Sequence, residues 1–281
     1  MRPALYVPVL HGATADRLDE IDTLDAARAV QAALSVAGFE SDIVHTGRDL
    51  AAFAAFERRR PDLVFNLVEA LDGRCDLADL AFDRLEALDL AHTGVGAEAL
   101  RRTTDKLAAK AELAAAGLPT PAWSLDGRDP GLTGTVIVKS VAEHASLGLD
   151  AGSVVPAAQA AAEIVRRESK FGGRFFAESY VEGREFNLSL LDGALLPPAE
   201  IDFIDFPPDR PRIVDWDAKW VEESVGFRNT PRRFAFPPAD ADLLRRLEAL
   251  ALKAWRLFDL AGYARVDFRV DGPGAPWVLE V

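Results

Sequence analysis

Two acids near the C-terminus carry the sharpest chemical signal in this sequence. The run Asp271-Gly272-Pro273-Gly274-Ala275-Pro276 reads as a turn between two strands, Tyr263 to Val270 and Trp277 to Val281. A turn centred between Pro273 and Gly274 pairs Val270 with Trp277 and Asp267 with Glu280. Side chains alternate along a strand, so Arg265, Asp267 and Glu280 share one face. The other face, Val266, Phe268 and Val270 against Leu279 and Val281, is apolar and predicts core. Two carboxylates directly opposite each other repel. A divalent cation held beside phosphates reverses that cost. The residues alone leave a second reading open: a solvated hairpin face on which Arg265 neutralises Asp267.

Other charged groups fit the same chemistry. Lys139 closes the apolar run Thr135-Val136-Ile137-Val138, and a lysine at the end of a buried strand suits a phosphate oxygen. The small-residue loop Ser146-Leu147-Gly148 follows, able to offer backbone N–H groups to phosphates or to be a plain surface turn. Lys106 stands near a helix start. The stretch from Glu178 to Glu185 links two strands; Glu178 is suited to an adenine amino group and Glu185 to ribose hydroxyls. It reads equally as an acidic hairpin.

These residues need a scaffold. Residues 1–95 alternate strand and helix: strands at Leu5–Leu10, Ser41–Val44 and Leu63–Leu67, helices at Asp22–Ala37, Leu50–Arg59 and Asp76–Leu88. That order predicts a parallel sheet with covered faces. Residues 96–120 read as a helical connector, with a helix from Asp105 to Ala116 closed by Gly117. Beyond it come strands at Thr135–Lys139, Arg174–Tyr180, Glu185–Leu191 and Leu195–Phe203, with Asp192-Gly193 as a hairpin turn. A helix at Ala157–Lys170 interrupts them, and a long amphipathic helix at Ala241–Leu260 precedes the final hairpin. Residues 205–238, rich in proline, read as a long functional loop. The fold class is therefore an α/β domain followed by an α+β region.

Composition narrows the classes. The 281 residues carry 32 Lys plus Arg against 45 Asp plus Glu, a net charge of −13, which argues against a nucleic-acid binder. Cys75 is the only cysteine, so no intrachain disulfide forms and thiol catalysis lacks a partner. No apolar run spans a bilayer and the N-terminus lacks a secretory pattern, so the cytoplasm is the expected location.

Taken in order, the motifs resemble the D-alanine–D-alanine ligase family of ATP-grasp enzymes. The resemblance rests on Thr93-Gly94-Val95-Gly96 before Thr104-Asp105-Lys106, Gly117-Leu118-Pro119-Thr120-Pro121, Val138-Lys139, Glu143-His144-Ala145-Ser146-Leu147-Gly148, Glu178 to Phe186, Asp217-Ala218-Lys219-Trp220, Gly262 to Phe268, and Leu279-Glu280-Val281. It implies an N-terminal α/β domain (1–96), linker helices with a small ATP-grasp subdomain (97–185), and a C-terminal ATP-grasp subdomain (186–281). It implies ATP and Mg²⁺ or Mn²⁺ as cofactors. Lys106 and Lys139 would hold the α- and β-phosphates, and Ser146 would contact phosphate from a mobile loop. Glu178 and Val181 would read adenine, Glu185 ribose, and Lys219 the γ-phosphate. Asp267 and Glu280 would bind the metal, and Arg265 would stabilise the oxyanion and acyl phosphate. The partners implied are small amino-acid or peptide substrates and a second copy of the chain in a homodimer, without nucleic acid or membrane.

The pattern also departs from the family. An Asn-x-Asn/Ser-Pro-Gly segment that follows the last strand in family members is absent, which reads as a fragment. The run Phe65-Asn66-Leu67-Val68-Glu69 lacks a histidine–glycine pair, and Ala145 and Trp220 replace a serine–tyrosine pair. For the amino-acid side of the site, Glu20 or Asp22 is the candidate acid for a substrate ammonium, with a plain helix-terminal role open for both. His144 is the candidate loop contact. The expected function is an ATP-dependent carboxylate–amine ligase acting through an acyl phosphate. The alternatives are a nucleotide-binding protein without turnover, and a ligase for another amino acid or carboxylate.

Overall fold

The computed structural model describes residues 4–14 and 16–281, and the chain forms two compact units, residues 1–101 and 102–281. The first contains β1 (Val9–His11), α1 (Leu18–Val36), β2 (Ile43–His45), α2 (Phe53–Arg58), β3 (Phe65–Leu67), α3 (Asp79–Ala87) and the start of α4 (Ala97–Thr104). The strands form the expected parallel sheet, in the order β2-β1-β3. Leu10 and Val64 meet Phe53, Phe56, Phe82 and Leu85 in its core. The strand expected from Leu5 is shorter, reduced before Val9 to a single bridge between Tyr6 and Glu40. Pro8 has no N–H to give a ladder there.

The second unit contains α5 (Lys106–Ala115), β4 (Trp123–Ser124), β5 (Thr135–Ser140), β6 (Val154–Pro156), α6 (Ala160–Phe171), β7 (Phe175–Ser179), β8 (Gly183–Leu191), β9 (Ala194–Leu195), β10 (Ala199–Ile201), α7 (Trp216–Trp220), α8 (Val225–Arg228), β11 (Arg232–Arg233), α9 (Ala241–Leu257), β12 (Tyr263–Asp271) and β13 (Pro276–Glu280). Two antiparallel sheets result, β4-β7-β5-β6 and β11-β10-β8-β12-β13, with β9 paired to β8. The β8–β9 turn falls at Asp192-Gly193, both at positive φ (49° and 76°), as a tight hairpin requires. Where one strand was expected from Leu195 to Phe203, Pro197-Pro198 splits it into β9 and β10.

The larger sheet has two unlike faces. Phe186, Leu188 and Leu190 of β8, Val266, Phe268 and Val270 of β12, and Val278 of β13 are buried. Helix α9 packs on this sheet and buries Leu243, Leu247, Ala251 and Ala254. The alternate residues, Glu185, Asn187, Ser189, Arg265, Asp267 and Arg269, lie on the other face, in register across β8 and β12.

Two expectations are corrected. Residues 205–238 are not one irregular loop: they hold α7, α8 and β11, and α7 and α8 start on side-chain caps from Asp215 and Ser224. The final hairpin is also tighter than expected, with Val270 opposite Pro276 and Arg269 opposite Trp277. Asp271 closes the turn, accepting from the Ala275 and Gly274 backbone N–H groups. A bulge at Leu279 then shifts the register by one and restores Asp267 opposite Glu280. In consequence Val278, fully buried, takes the core place expected of Leu279, which is half-buried.

Candidate active site

Several segments of the second unit bring cations and carboxylates together. From α5 come Lys106 and Lys110, one turn apart and so on one helix face. Both are buried. Asp105 starts the helix by accepting from the Leu107 and Ala108 backbone N–H groups. From β5 comes Lys139, and from β7, antiparallel to it, Glu178. Lys139 Nζ is 2.5 Å from Glu178 Oε1, and Lys110 Nζ is 2.6 Å from Glu178 Oε2. Burial pushes the Glu178 carboxyl up, but Lys110 and Lys139 outweigh it and hold its pKa below the usual value. Burial in turn lowers Lys110, while Lys139, facing Glu178 and Glu280, is held above the usual lysine value despite its burial.

The polar face of the large sheet supplies the next group. Glu280 lies opposite Asp267, as expected. Lys106 Nζ is 3.0 Å from Glu280 Oε1 and donates to the Glu143 carbonyl at 2.6 Å. His144 Nδ1 is 3.4 Å from the same oxygen. Burial opposes ionisation of Glu280, yet Lys106, His144 and Lys139 hold its pKa well below the usual carboxylate range. Asp267 accepts from Arg265 through both oxygens, at 2.7 and 2.8 Å, and from Asn187 Nδ2 at 2.7 Å. Two carboxylates thus face each other across the strands amid fixed cations. Glu280 Oε1 is inaccessible and has no well-aligned hydrogen-bond donor. Hard carboxylate oxygens facing one another fit a magnesium-sized cation that takes its remaining ligands from phosphates and water. Among the described residues no group of three or more His, Cys, Asp or Glu is placed to hold a metal ion.

The third group is a pair of loops laced together. The Trp216 backbone N–H donates to the Leu149 carbonyl at 3.1 Å and Ser146 Oγ to the Val214 carbonyl at 3.1 Å. Lys219 Nζ donates to the His144 carbonyl at 3.2 Å and Trp220 Nε1 to the Ala145 carbonyl at 2.9 Å. Ser146 itself sits at φ 61°, a left-handed turn at the tip of the small-residue loop. Burial lowers the Lys219 pKa, and Glu280 and Asp267 oppose that shift.

A family model for the D-ala D-ala ligase C-terminus matches residues 131–281. The D-alanine–D-alanine ligase of Methylococcus capsulatus is 32% identical, over 97% of this chain and 83% of its own. The chain belongs to the D-alanine–D-alanine ligase family. The Gloeobacter violaceus member of that name is 30% identical, over 99% of this chain and 88% of its own. In fold, a crystal structure of D-alanine–D-alanine ligase from Bacillus anthracis complexed with ATP superposes with a TM-score of 0.75 at 18% identity, covering 99% of this chain and 85% of that one.

For a D-alanine–D-alanine ligase family member, the residues singled out in the sequence fall into two sets. Lys106, Lys139, His144, Ser146, Glu178, Val181, Glu185, Lys219, Arg265, Asp267 and Glu280 all belong to the second unit. Val181 lies between β7 and β8. Glu20 and Asp22 lie in the first unit, on α1. Asp22 is exposed. Glu20 is buried, and its carboxylate accepts from Thr14 Oγ1 at 2.6 Å and from the Thr14 and Asp16 backbone N–H groups at 3.2 Å, which holds the loop entering α1.

Three residues that shape this site escaped the sequence reading. Lys110 had a signal in its spacing of four from Lys106. Asn187 and Arg269 had one in the alternation Glu185-x-Asn187 and Arg265-x-Asp267-x-Arg269, which puts polar groups at every second position of otherwise apolar strands.

Proposed function

We propose that this protein is an ATP-dependent ligase that activates the carboxylate of one D-alanine as an acyl phosphate and joins it to the amino group of a second. The observation that carries the reading is the convergence of Lys106, Lys139, Lys219 and Arg265 on the Asp267–Glu280 pair, within a member of this ligase family. In this reading Glu178 and Val181 receive the adenine and Glu185 the ribose. Lys106 and Lys139 hold the α- and β-phosphates, and Ser146 touches phosphate from its loop. Magnesium held by Asp267 and Glu280 supplies charge neutralisation on the phosphoryl oxygens. Lys219 and Arg265 stabilise the charge that develops as a substrate carboxylate oxygen displaces ADP from the γ-phosphorus. Arg265 then steadies the tetrahedral oxyanion as the amine attacks the acyl phosphate and inorganic phosphate leaves. The laced loops carrying Ser146 and Lys219 exclude water from the intermediate. His144 lies on the substrate side, Glu20 or Asp22 is the acid for a substrate ammonium, and the enzyme works as a cytoplasmic homodimer.

The test is ADP release from ATP and Mg²⁺ with each D- and L-amino acid in turn. The expected result is release that depends on D-alanine and yields the dipeptide. Release that depends on a different amino acid, or on none, overturns the substrate assignment.

A further inference from the structure

We infer that Arg269 is a positioning residue that sets discrimination at the nucleotide sugar, by pinning Glu185 so that one carboxylate oxygen faces the ribose diol. The inference rests on the proposed role of Glu185 and deepens it.

Arg269 lies directly opposite Glu185 in the β8–β12 register. Its Nη2 is 2.8 Å from Glu185 Oε2, and the two side chains are 5% and 13% exposed. Two further guanidinium donors are also committed. Nη1 donates to the Gly183 carbonyl at 3.2 Å, and Nη2 also donates to the Arg212 carbonyl. The Tyr180 and Phe203 rings stand 5.9 and 5.5 Å from the guanidinium carbon. Tyr180 Oη reaches the same Arg212 carbonyl at 3.3 Å. Gly183 leaves no freedom in the strand beside it, since a Cβ there would lie 1.9 Å from the Val270 carbonyl oxygen. One buried cation therefore ties the β7–β8 linker, the segment after β10 and the Glu185 carboxylate into a single rigid corner.

The chemistry follows from which oxygen is used. With Oε2 held by Arg269, Oε1 is the free acceptor. An ionised carboxylate accepts from both hydroxyls of a vicinal diol, whereas a neutral acid must donate one proton and loses that pattern. Burial raises the Glu185 carboxyl above its usual value, and Arg269, the largest opposing influence, reduces that rise without reversing it. Asp267 on the neighbouring strand raises it further, while Lys219 and Arg265 lower it. Arg269 thus aims the carboxylate and favours its ionised form against the burial that opposes it. A sugar lacking one hydroxyl leaves a charged acceptor unmatched, a loss of about 10- to 100-fold in affinity.

The test is calorimetric titration of the whole chain with ATP, 2′-deoxy-ATP and 3′-deoxy-ATP in the presence of Mg²⁺ and without amino acid. The wild type is expected to favour ATP over the deoxy forms by about 10-fold or more. Arg269→Met is expected to bring that ratio close to one, and Arg269→Lys, which keeps a cation beside Glu185, to keep most of it. Should Arg269→Met fail to fold, Arg269→Lys and Glu185→Gln still decide the matter. Glu185→Gln, a neutral acceptor of the same shape, should lose the ratio, and a lysine variant that loses it equally overturns the inference. A ratio unchanged in Arg269→Met, whatever happens to its thermal midpoint, also overturns the inference and leaves the ribose role of Glu185 standing. A ratio unchanged in Glu185→Ala removes the ribose role itself, and the inference with it.

Discussion

Replacing Lys110 by methionine removes a cation from a site that contains two lysines and one carboxylate. Lys110 and Glu178 are 1% and 2% exposed at the side chain and 2.6 Å apart. Breaking a buried ion pair from one side costs about 3–5 kcal/mol, because the orphaned charge stays behind. Glu178 retains Lys139 at 2.5 Å, and methionine fills similar volume without the desolvation of an ammonium. The net loss should be about 2–4 kcal/mol at neutral pH. All 5 tryptophans, at positions 123, 216, 220, 255 and 277, belong to the second unit, so urea unfolding followed by tryptophan fluorescence reports that unit alone. The pH dependence gives a sharper check. In the wild type the folded pKa of Glu178 lies below its usual value. The pair therefore stabilises the fold above the unfolded carboxyl pKa, and that contribution fades as pH falls through the lower folded value. With Lys110 gone, burial should win and raise the folded pKa above the unfolded one. The variant then loses stability as pH rises past about 4.3, the unfolded reference for Glu. The gap between wild type and variant must accordingly be larger at pH 7 than at pH 4. A loss under about 1 kcal/mol at pH 7, or the same loss at both pH values, would refute the reasoning.

Two further outcomes are expected. Glu280→Gln removes one of the paired carboxylates and should raise the Mg²⁺ midpoint for ADP release about tenfold or more; an unchanged metal titration would count against the Asp267–Glu280 site. Trp220→Phe deletes the 2.9 Å hydrogen bond to the Ala145 carbonyl while keeping a ring near Trp216. One such bond is worth about 0.5–1.5 kcal/mol net, so proteolytic cleavage within residues 205–220 should quicken by a few-fold and nucleotide affinity should fall in step. Cleavage at the wild-type rate would show that this bond does not hold the loops together.

The alternation of Asp267 with apolar neighbours, and of Glu280 across a turn, was enough to pair the two acids before any coordinates. The parallel sheet of the first unit and the Asp192-Gly193 hairpin were equally legible, because periodicity and turn chemistry are local properties. The pairing holds although the turn is one residue tighter than the pattern predicts, because the bulge at Leu279 takes up the extra residue. Local pattern can specify which face a side chain occupies, yet it cannot count the residues a turn consumes or foresee where a strand yields a bulge. The helical turns inside residues 205–238 were missed for a related reason: they are short, capped by Asp215 and Ser224, and too brief to show a period.

Arg265 on Asp267, two residues away on one strand face, was the charge pair that sequence could name; the others were beyond its reach. Lys106 stands out only through the family resemblance and Lys110 not at all, and only the fold reveals that both are buried on carboxylates, Glu280 of β13 and Glu178 of β7. The role of Arg269 emerges only from β8 lying beside β12, which sets it opposite Glu185. Strand order and helix packing join positions far apart in the chain, and a buried charge takes its meaning from whichever partner that folding brings within a few ångströms. Sequence thus determined the kinds of groups present and the faces they occupy, whereas the tertiary structure alone decided which cation answers which acid between segments distant in the chain.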